Sequence, residues 1–357
     1  MRIALLGPAN SIHLQRWAHA LVQRGHALSV LSQHACDRGL LPSAANVFML
    51  PRSGTLGYFA NAWRARELLT RWQPDVLNAH YASGYGTTAA LCGVRPSLLS
   101  VWGSDVYDFP YESALKGRLI RGNLRRATAI ASTSHAMARQ VQRLTPERAE
   151  IAVTPFGVDL GRFAPDPSRR TPGQLTIGIV KSLAPKYGID LLLRAFAGLP
   201  ESCRLLVVGD GPQRAELEAL ARDLGIAART EFVGAAPHAE VPAWLHRFDV
   251  YAAPSRLDSE SFGVAVIEAS ACGLPVVVSD AGGLPEVVRD GETGLVVPRG
   301  DVPALQAALM RLVLDAALRE RLGQAGRAHV EREYEWGHCV DLMERCLEQV
   351  ARAGVAR

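Results

Sequence analysis

Short apolar runs recur along this chain at intervals that leave room for a helix between each pair. Residues 2–7 (RIALLG) read as a buried strand closed by glycine. In the stretch that follows, Ile12, Trp17, Leu21 and Val22 face inward, with Ser11 as a candidate cap and Gly25 as the stop. ALSVLS (27–32) is the next strand, and further strands are predicted at 47–50, 76–79, 98–102, 129–132 and 151–153. Helical patterns lie between them, notably over 60–72 and 113–126. Strand and helix alternating in this way make a doubly wound α/β domain.

The period breaks over residues 159–173 (DLGRFAPDPSRRTPG), which are proline-rich, charged and aperiodic, and this predicts an interdomain linker. A second alternation then begins. Strands are predicted at 175–180, 204–208, 230–233, 249–253 and 275–279, and helices at 188–198, 213–223, 238–246, 263–272 and 302–323. The tail places Trp336, Val340, Leu342, Met343, Leu347 and Val350 on a helical pattern. The expected organisation is a Rossmann-like domain over 1–165, a second over 166–334, and a helix over 335–357 packing across both.

Composition narrows the class. A length of 357 residues suits two domains, and 48% hydrophobic with 21% charged residues is ordinary for a globular protein with two cores. The uncharged stretch 76–94 is interrupted by Asn78, His80, Gly84 and Gly86, which argues against a membrane span. The apolar run Ile3–Leu6 is too short for a signal peptide. Six cysteines without a C-x-x-C pair point to reduced thiols in a cytosolic protein. The turn after the first strand, Gly7-Pro8-Ala9-Asn10-Ser11, lacks G-x-G-x-x-G, which argues against a dinucleotide cofactor.

Charge is uneven. Residues 1–165 carry 18 Lys and Arg against nine Asp and Glu, while the remainder is net acidic. A basic first part suits an anionic partner: nucleic acid, an anionic membrane or a phosphorylated lipid. Lys116, Arg118, Arg121, Arg125 and Arg126 surround Leu119, Ile120 and Leu124 on one predicted helix. That helix suits a membrane surface, or a protein surface with arginines snorkelling over the core. Of the 39 basic residues only Lys116, Lys181 and Lys186 are lysine, and the last two share one loop after a strand. Two ammonium groups at a strand's carboxyl end suit a diphosphate.

The most informative stretch is 254–298, PSRLDSESFGVAVIEASACGLPVVVSDAGGLPEVVRDGETGLVVP. Ser261-Phe262-Gly263-Val264 opens a helix whose free backbone N–H groups suit an anion. Glu260 precedes the helix and Glu268 lies a turn inside, among apolar neighbours on nearly every side. Carboxylates repel phosphate, so their natural targets are the vicinal hydroxyls of a sugar. Lysines for phosphate and carboxylates for hydroxyls together describe a nucleotide-sugar site. Gly209-Asp210-Gly211-Pro212 and Phe232-Val233-Gly234 follow two other strands, as turns or as ligand contacts.

The 254–298 stretch resembles the signature region of family 4 of the retaining glycosyltransferases. Other segments agree in order: Gly25-His26, Pro74-Asp75 with His80, Trp102-Gly103-Ser104-Asp105, Gly157-Val158-Asp159 with Phe163 and Pro165, the 181–188 loop, Gly209-Asp210-Gly211-Pro212, Phe232 with Gly234, and Ala253-Pro254-Ser255. The resemblance implies the GT-B fold, two Rossmann-like domains facing a central cleft, with the terminal helix crossing back to the first. It implies transfer of a sugar from a UDP- or GDP-type donor to a glycan or lipid-linked acceptor, as in surface polysaccharide or glycolipid synthesis. No metal or other cofactor and no nucleic acid would be needed. The setting would be cytoplasmic, peripheral on the inner face of the membrane.

By the same resemblance Glu268 holds the ribose, and Glu260 lies by the donor sugar. Backbone amides of Ser261, Phe262, Gly263 and Val264 contact sugar and phosphates, with Gly209 and Val233 nearby. Lys181 and Lys186 bind the diphosphate, and together with Glu260 they form the catalytic set. Gly7 lies in a first-domain loop near phosphate and acceptor. Asn10, His13, His80, Asp105 and His135 are acceptor-side candidates. Trp102 stands where many members carry a donor-contacting histidine, which implies an altered contact at the sugar's C6 or a passive wall. An epimerase of the same two-domain plan, or a non-catalytic nucleotide-sugar-binding protein, remains the alternative.

Overall fold

The structure, a computed structural model, describes residues 1–148, 150–169 and 173–355. Residues 170–172 of the expected linker lie outside it. The chain divides into two compact units. One is Met1–Phe156 together with the terminal helix from Gly337, and the other is Gly157–Trp336.

The first unit contains β1 (Arg2–Leu6), β2 (Ala27–Ser32), β3 (Asn46–Met49), β4 (Val76–His80), β5 (Ser97–Ser100), β6 (Ala129–Ser132) and β7 (Ala152–Val153). They form one parallel sheet in the order β3-β2-β1-β4-β5-β6-β7. The second unit contains β8 (Leu175–Val180), β9 (Cys203–Val208), β10 (Thr230–Gly234), β11 (Val250–Ala253), β12 (Val276–Ser279) and β13 (Leu295–Val297). Its sheet is also parallel, in the order β10-β9-β8-β11-β12-β13.

A parallel sheet covered by helices on both faces buries consecutive residues. Ile3, Ala4, Leu5 and Leu6 are accordingly all fully buried, and so are Val276, Val277 and Val278. Both sheets reverse their winding direction at one place. In the first this is between β1 and β4, where Leu5 is flanked by Val30 and Asn78. In the second it is between β8 and β11. Chains leaving adjacent strands there part to opposite faces, and the gap beyond their carboxyl ends is where such sheets bind ligands.

Several predicted boundaries move. The helix predicted at 60–72 is two, Gly54–Ala60 and Ala62–Trp72. Asn61 between them is buried, and its amide bonds to both backbone groups of Arg52, at 2.7 and 3.1 Å. The helix predicted at 302–323 also divides, into Val302–Leu314 and Ala316–Glu333. Asp315 leaves helical geometry there and caps the second helix by accepting the Leu318 N–H at 2.9 Å. Ser11 stands at the N-cap of the helix Ile12–Gln23, but its side chain makes no cap bond.

The units part at Phe156/Gly157, ahead of the predicted 165/166. The Val158 N–H donates to Tyr334 and its carbonyl accepts from Trp336, at 2.8 and 2.9 Å, and Arg327 bonds the Phe163 carbonyl. Residues 157–163 are therefore laced to the second unit. The terminal helix, Trp336–Val355, is tied to the first unit by Arg24–Asp341 (2.6 Å) and His26–Glu344 (2.7 Å). Among the described residues no helix is long and apolar enough to cross a membrane.

Candidate functional site

In the second unit the side chains that sequence reasoning singled out gather beyond the carboxyl ends of β8 and β11. Lys181 directly follows β8. Its ammonium lies 2.8 Å from the Glu260 carboxylate, which the loop after β11 supplies. Both Lys181 and Lys186 place their ammonium groups over the Tyr187 ring, at 4.7 and 4.8 Å. Two cations thus converge on one aromatic ring. Burial acts to lower the Lys181 pKa, but the Glu260 carboxylate with Tyr187 and Tyr251 outweighs it, and the net shift is upward. Lys181 is held charged.

The Glu260 loop is rigid because glycines leave room for it. A Cβ on Gly282 would lie 2.3 Å from the Glu260 carbonyl oxygen, and one on Gly283 would lie 2.2 Å from that of Ser261. The Gly283 N–H donates to the Glu260 carbonyl at 3.0 Å, and the Gly282 N–H to the Asp258 carboxylate at 3.0 Å. Gly263, at φ +97°, precedes the helix Val264–Ala271. A side chain there would collide with Leu284 and strain the backbone.

Glu260, Ser261, Phe262 and Glu268 are all buried, whereas Val264 is half-buried. Glu268 projects from the helix and meets the His238 Nε2 at 2.8 Å. A buried carboxylate needs a partner, and in this structure His238 is it. The His238 Nδ1 is also buried and has no hydrogen-bond partner among the described residues.

The sequence assigned acids to hydroxyls and lysines to phosphate; in this structure Lys181 and Glu260 form one ion pair. Gly209, at φ +141°, faces the Lys181 backbone, where a Cβ would lie 1.9 Å from the carbonyl oxygen. Its direct work is to seat the lysine loop. Val233 is half-buried next to Gly234, whose carbonyl accepts the Gly209 N–H at 2.8 Å.

Sequence reasoning missed His238, Tyr187 and two arginine supports. Arg256 grips Asp190 through both guanidinium nitrogens, at 2.7 and 2.6 Å, and its own N–H donates to the Lys186 carbonyl at 2.7 Å. Arg299 bonds Asp258 at 2.7 Å and Asp280 at 3.1 Å. Tyr187 lies in the motif loop and was open to notice. The arginine pairs join residues from 19 to 66 positions apart, and no local signal marks them.

In the first unit Gly7 follows β1 and His80 ends β4, the two strands at the reversal. Gly7 permits close packing, since a Cβ there would strike Leu14 and approach the His80 ring at 3.3 Å. His80 is fully buried, and neither ring nitrogen has a hydrogen-bond partner among the described residues. Burial, helped by His13, pushes its pKa down to about 3, so it is neutral. Trp102 stands over it at 5.0 Å between ring centres, and His13 stacks on Phe156 at 4.1 Å. Tyr81 closes the cluster against Trp102 at 4.9 Å.

Asp105 is buried beneath this cluster. It accepts the backbone N–H groups of Trp102, Gly103 and Ala82 at 3.1, 2.8 and 2.7 Å, which makes it a post for two loops rather than a ligand contact. Asn10 is exposed. His135 is exposed at the start of the helix His135–Leu144 and borders a hollow lined by Cys346 and Val350.

Known proteins match both halves. Residues 163–329 match the family described as glycosyl transferases group 1, and residues 2–134 the one described as glycosyl transferase 4-like. The chain is 39% identical, over 53% of each chain, to the GDP-mannose-dependent alpha-(1-6)-phosphatidylinositol monomannoside mannosyltransferase of Mycolicibacterium smegmatis. The match therefore spans about half the length of that relative. The phosphatidyl-myo-inositol mannosyltransferase of Mycobacterium leprae is 29% identical, over 99% of this chain and 98% of its own. The fold is shared with a sucrose-phosphate synthase from Thermosynechococcus elongatus, at TM-score 0.86 and 22% identity over 99% of this chain and 100% of that one. It is also shared with Anabaena HepE in complex with UDP, at TM-score 0.80 and 18% identity over 98% of this chain and 100% of that one.

Proposed function

The chain belongs to the group 1 glycosyltransferases and has the GT-B fold, and from that premise we propose that it moves a sugar, with retention, from a nucleotide-diphosphate-sugar to a hydroxyl of a lipid-linked or glycan acceptor. The observation that carries the reading is the meeting of Lys181, Lys186 and Glu260 about Tyr187 beyond the carboxyl end of β8, with Glu268 on the helix that the Glu260 loop opens. Lysine charge neutralises the diphosphate, the helix start at Gly263–Val264 adds backbone donors, and Glu268 takes the ribose hydroxyls. His238, bonded to Glu268, then orients that carboxylate.

Glu260 is bound in an ion pair with Lys181, an arrangement that suits charge positioning better than nucleophilic attack. The leaving diphosphate oxygen itself accepts the acceptor's proton, and the protein supplies orientation and electrostatic stabilisation. With two lysines providing positive charge, no metal ion is required. The basic first unit suits an anionic membrane surface, which supports a peripheral setting. The mannosyltransferase relatives make GDP-mannose the first donor to try.

A melting-temperature screen against nucleotide-sugars tests the donor. A bound donor at a hundred times its Kd stabilises by about 2.7 kcal/mol. Glu268→Ala should abolish both the shift and transfer while EDTA leaves activity unchanged. Activity lost to EDTA and restored by manganese would refute the metal-free mechanism. Turnover of the donor without acceptor, giving an isomerised sugar, would refute transfer.

A further inference from the structure

One hollow in the first unit has no part in the chemistry above. Its volume is about 770 Å³. The walls are apolar: Tyr58 and Phe59 from the helix Gly54–Ala60, Phe109, and Leu115 and Leu119 from the helix Ala114–Arg126. The floor reaches Pro8 and Ser11, just beyond the carboxyl end of β1. There the hollow turns polar, with His34 Nδ1 2.7 Å from the Tyr85 hydroxyl, which in turn lies 3.0 Å from Ser32 Oγ.

The rim is the unusual part. Leu56 is 81% exposed, Phe59 44% and Trp63 75%, at spacings of three and four residues that put them on one side of their helices. Tyr111 and Leu115, at 65% and 75%, stand with the opposite wall. Scattered exposed apolar residues are normal, but Phe59 and Leu115 line the opening itself, and Leu56, Trp63 and Tyr111 each lie within four residues of a lining residue along the chain; exposed apolar patches of this kind mark interaction sites. The helix that carries Leu115 and Leu119 also carries Arg118, Arg121, Arg125 and Arg126. Lys116 lies at the hollow itself, its ammonium 4.9 Å from the Phe109 ring centre.

We infer that this hollow receives the hydrocarbon tail of a membrane-lipid acceptor, drawn from a bilayer into which the rim dips. The inference rests on the reading of the chain as a transferase to a lipid-linked acceptor, and it assigns the tail a place. Away from the floor the mostly apolar walls offer the hydroxyls of a second sugar few partners, whereas methylenes lose nothing there. The basic helix beside the opening matches an anionic headgroup layer, and apolar rim with basic flank is the composition of an interfacial anchor. The floor at Pro8 and Ser11 adjoins the strand-end reversal at Gly7 and His80, so a lipid lodged here would keep its head at the reactive end of the sheet.

The test uses octyl, decyl and dodecyl phosphate as monomers, titrated calorimetrically into the whole protein, with inorganic phosphate as control. Affinity should rise by up to about fourfold per added methylene until the hollow is full, and inorganic phosphate should not compete. Leu119→Trp, which narrows the hollow at its wall, should weaken decyl phosphate at least tenfold. Leu115→Asp changes an exposed residue, where substitutions usually leave stability little altered, and it should do the same. Leu56→Asp with Trp63→Asp should instead abolish sedimentation with phosphatidylcholine–phosphatidylglycerol vesicles while decyl phosphate still binds. Affinity independent of chain length, or unchanged in both Leu119→Trp and Leu115→Asp, would overturn the inference. So would a dimer that dissociates in Leu56→Asp, because the rim would then be covered by a second copy. Donor stabilisation without alkyl phosphate binding would remove the tail site and leave the transferase reading intact. Alkyl phosphate binding without any donor stabilisation would overturn the acceptor assignment.

Discussion

Breaking the Lys181–Glu260 pair isolates the physical core of the site. The ammonium and carboxylate are 2.8 Å apart, and their side chains are only 19% and 8% exposed. Removing one member of a buried pair costs about 3–5 kcal/mol, because the survivor keeps its charge where water cannot reach it. Partial exposure of Lys181 lowers this to roughly 2–4 kcal/mol. Lys181→Met should therefore lower the melting temperature of the second unit by about 5–15 °C, at roughly 2–4 °C per kcal/mol for a domain of this size.

A double-mutant cycle with Glu260→Gln, read by calorimetry, separates the pair from mere loss of packing over Tyr187. The two substitutions together should cost less than the sum of each alone, by about 1.5 kcal/mol or more. The alkaline limb gives a second check. The Lys181 pKa is raised above its ordinary 10.5 in the folded protein, so its stabilising contribution is complete below that value and fades as pH climbs beyond it. The difference between wild type and Lys181→Met should stay constant near neutrality and shrink only above about pH 10. A coupling below about 0.5 kcal/mol, the limit for independent sites, would refute the claim that the pair is a unit.

Other outcomes follow from the same geometry. His80 has a folded pKa of about 3 against an ordinary 6.5, so its neutral burial stabilises fully above pH 6.5 and is progressively lost below it. By pH 3 the loss approaches about 5 kcal/mol, and His80→Phe should flatten that slope in acid titrations followed by circular dichroism. Asp105→Ala strands two buried N–H groups and one part-buried one, and should cost about 3 kcal/mol or more in urea unfolding, with a loss under 1 kcal/mol excluding the post role. Gly283→Ala forces a methyl onto the Ser261 carbonyl and should weaken nucleotide-sugar binding at least tenfold by calorimetry. Unchanged affinity would mean that the Glu260 loop need not hold this shape.

Much of this architecture could be read without coordinates. Short apolar runs located most strands, because a strand covered by helices on both faces buries consecutive residues. β13 escaped because Leu295–Val297 is too short to show a period. The helix breaks at Asn61 and Asp315 escaped because each depends on what one polar side chain bonds, and the apolar period runs across both.

What the sequence determined by itself is the class of protein, the two parallel sheets and the candidate set Lys181, Lys186, Glu260 and Glu268. These depend on local pattern. Only the tertiary structure decided which of these groups meet. It paired Lys181 with Glu260 across 79 residues and Glu268 with His238 across 30, and it turned Asp105 inward. It also brought the Phe59 and Leu115 side chains to one opening. The reason is that strand order and burial set these distances, and both are properties of the packed whole. Chain spacing carries no record of which sheet edge or helix face a residue will share.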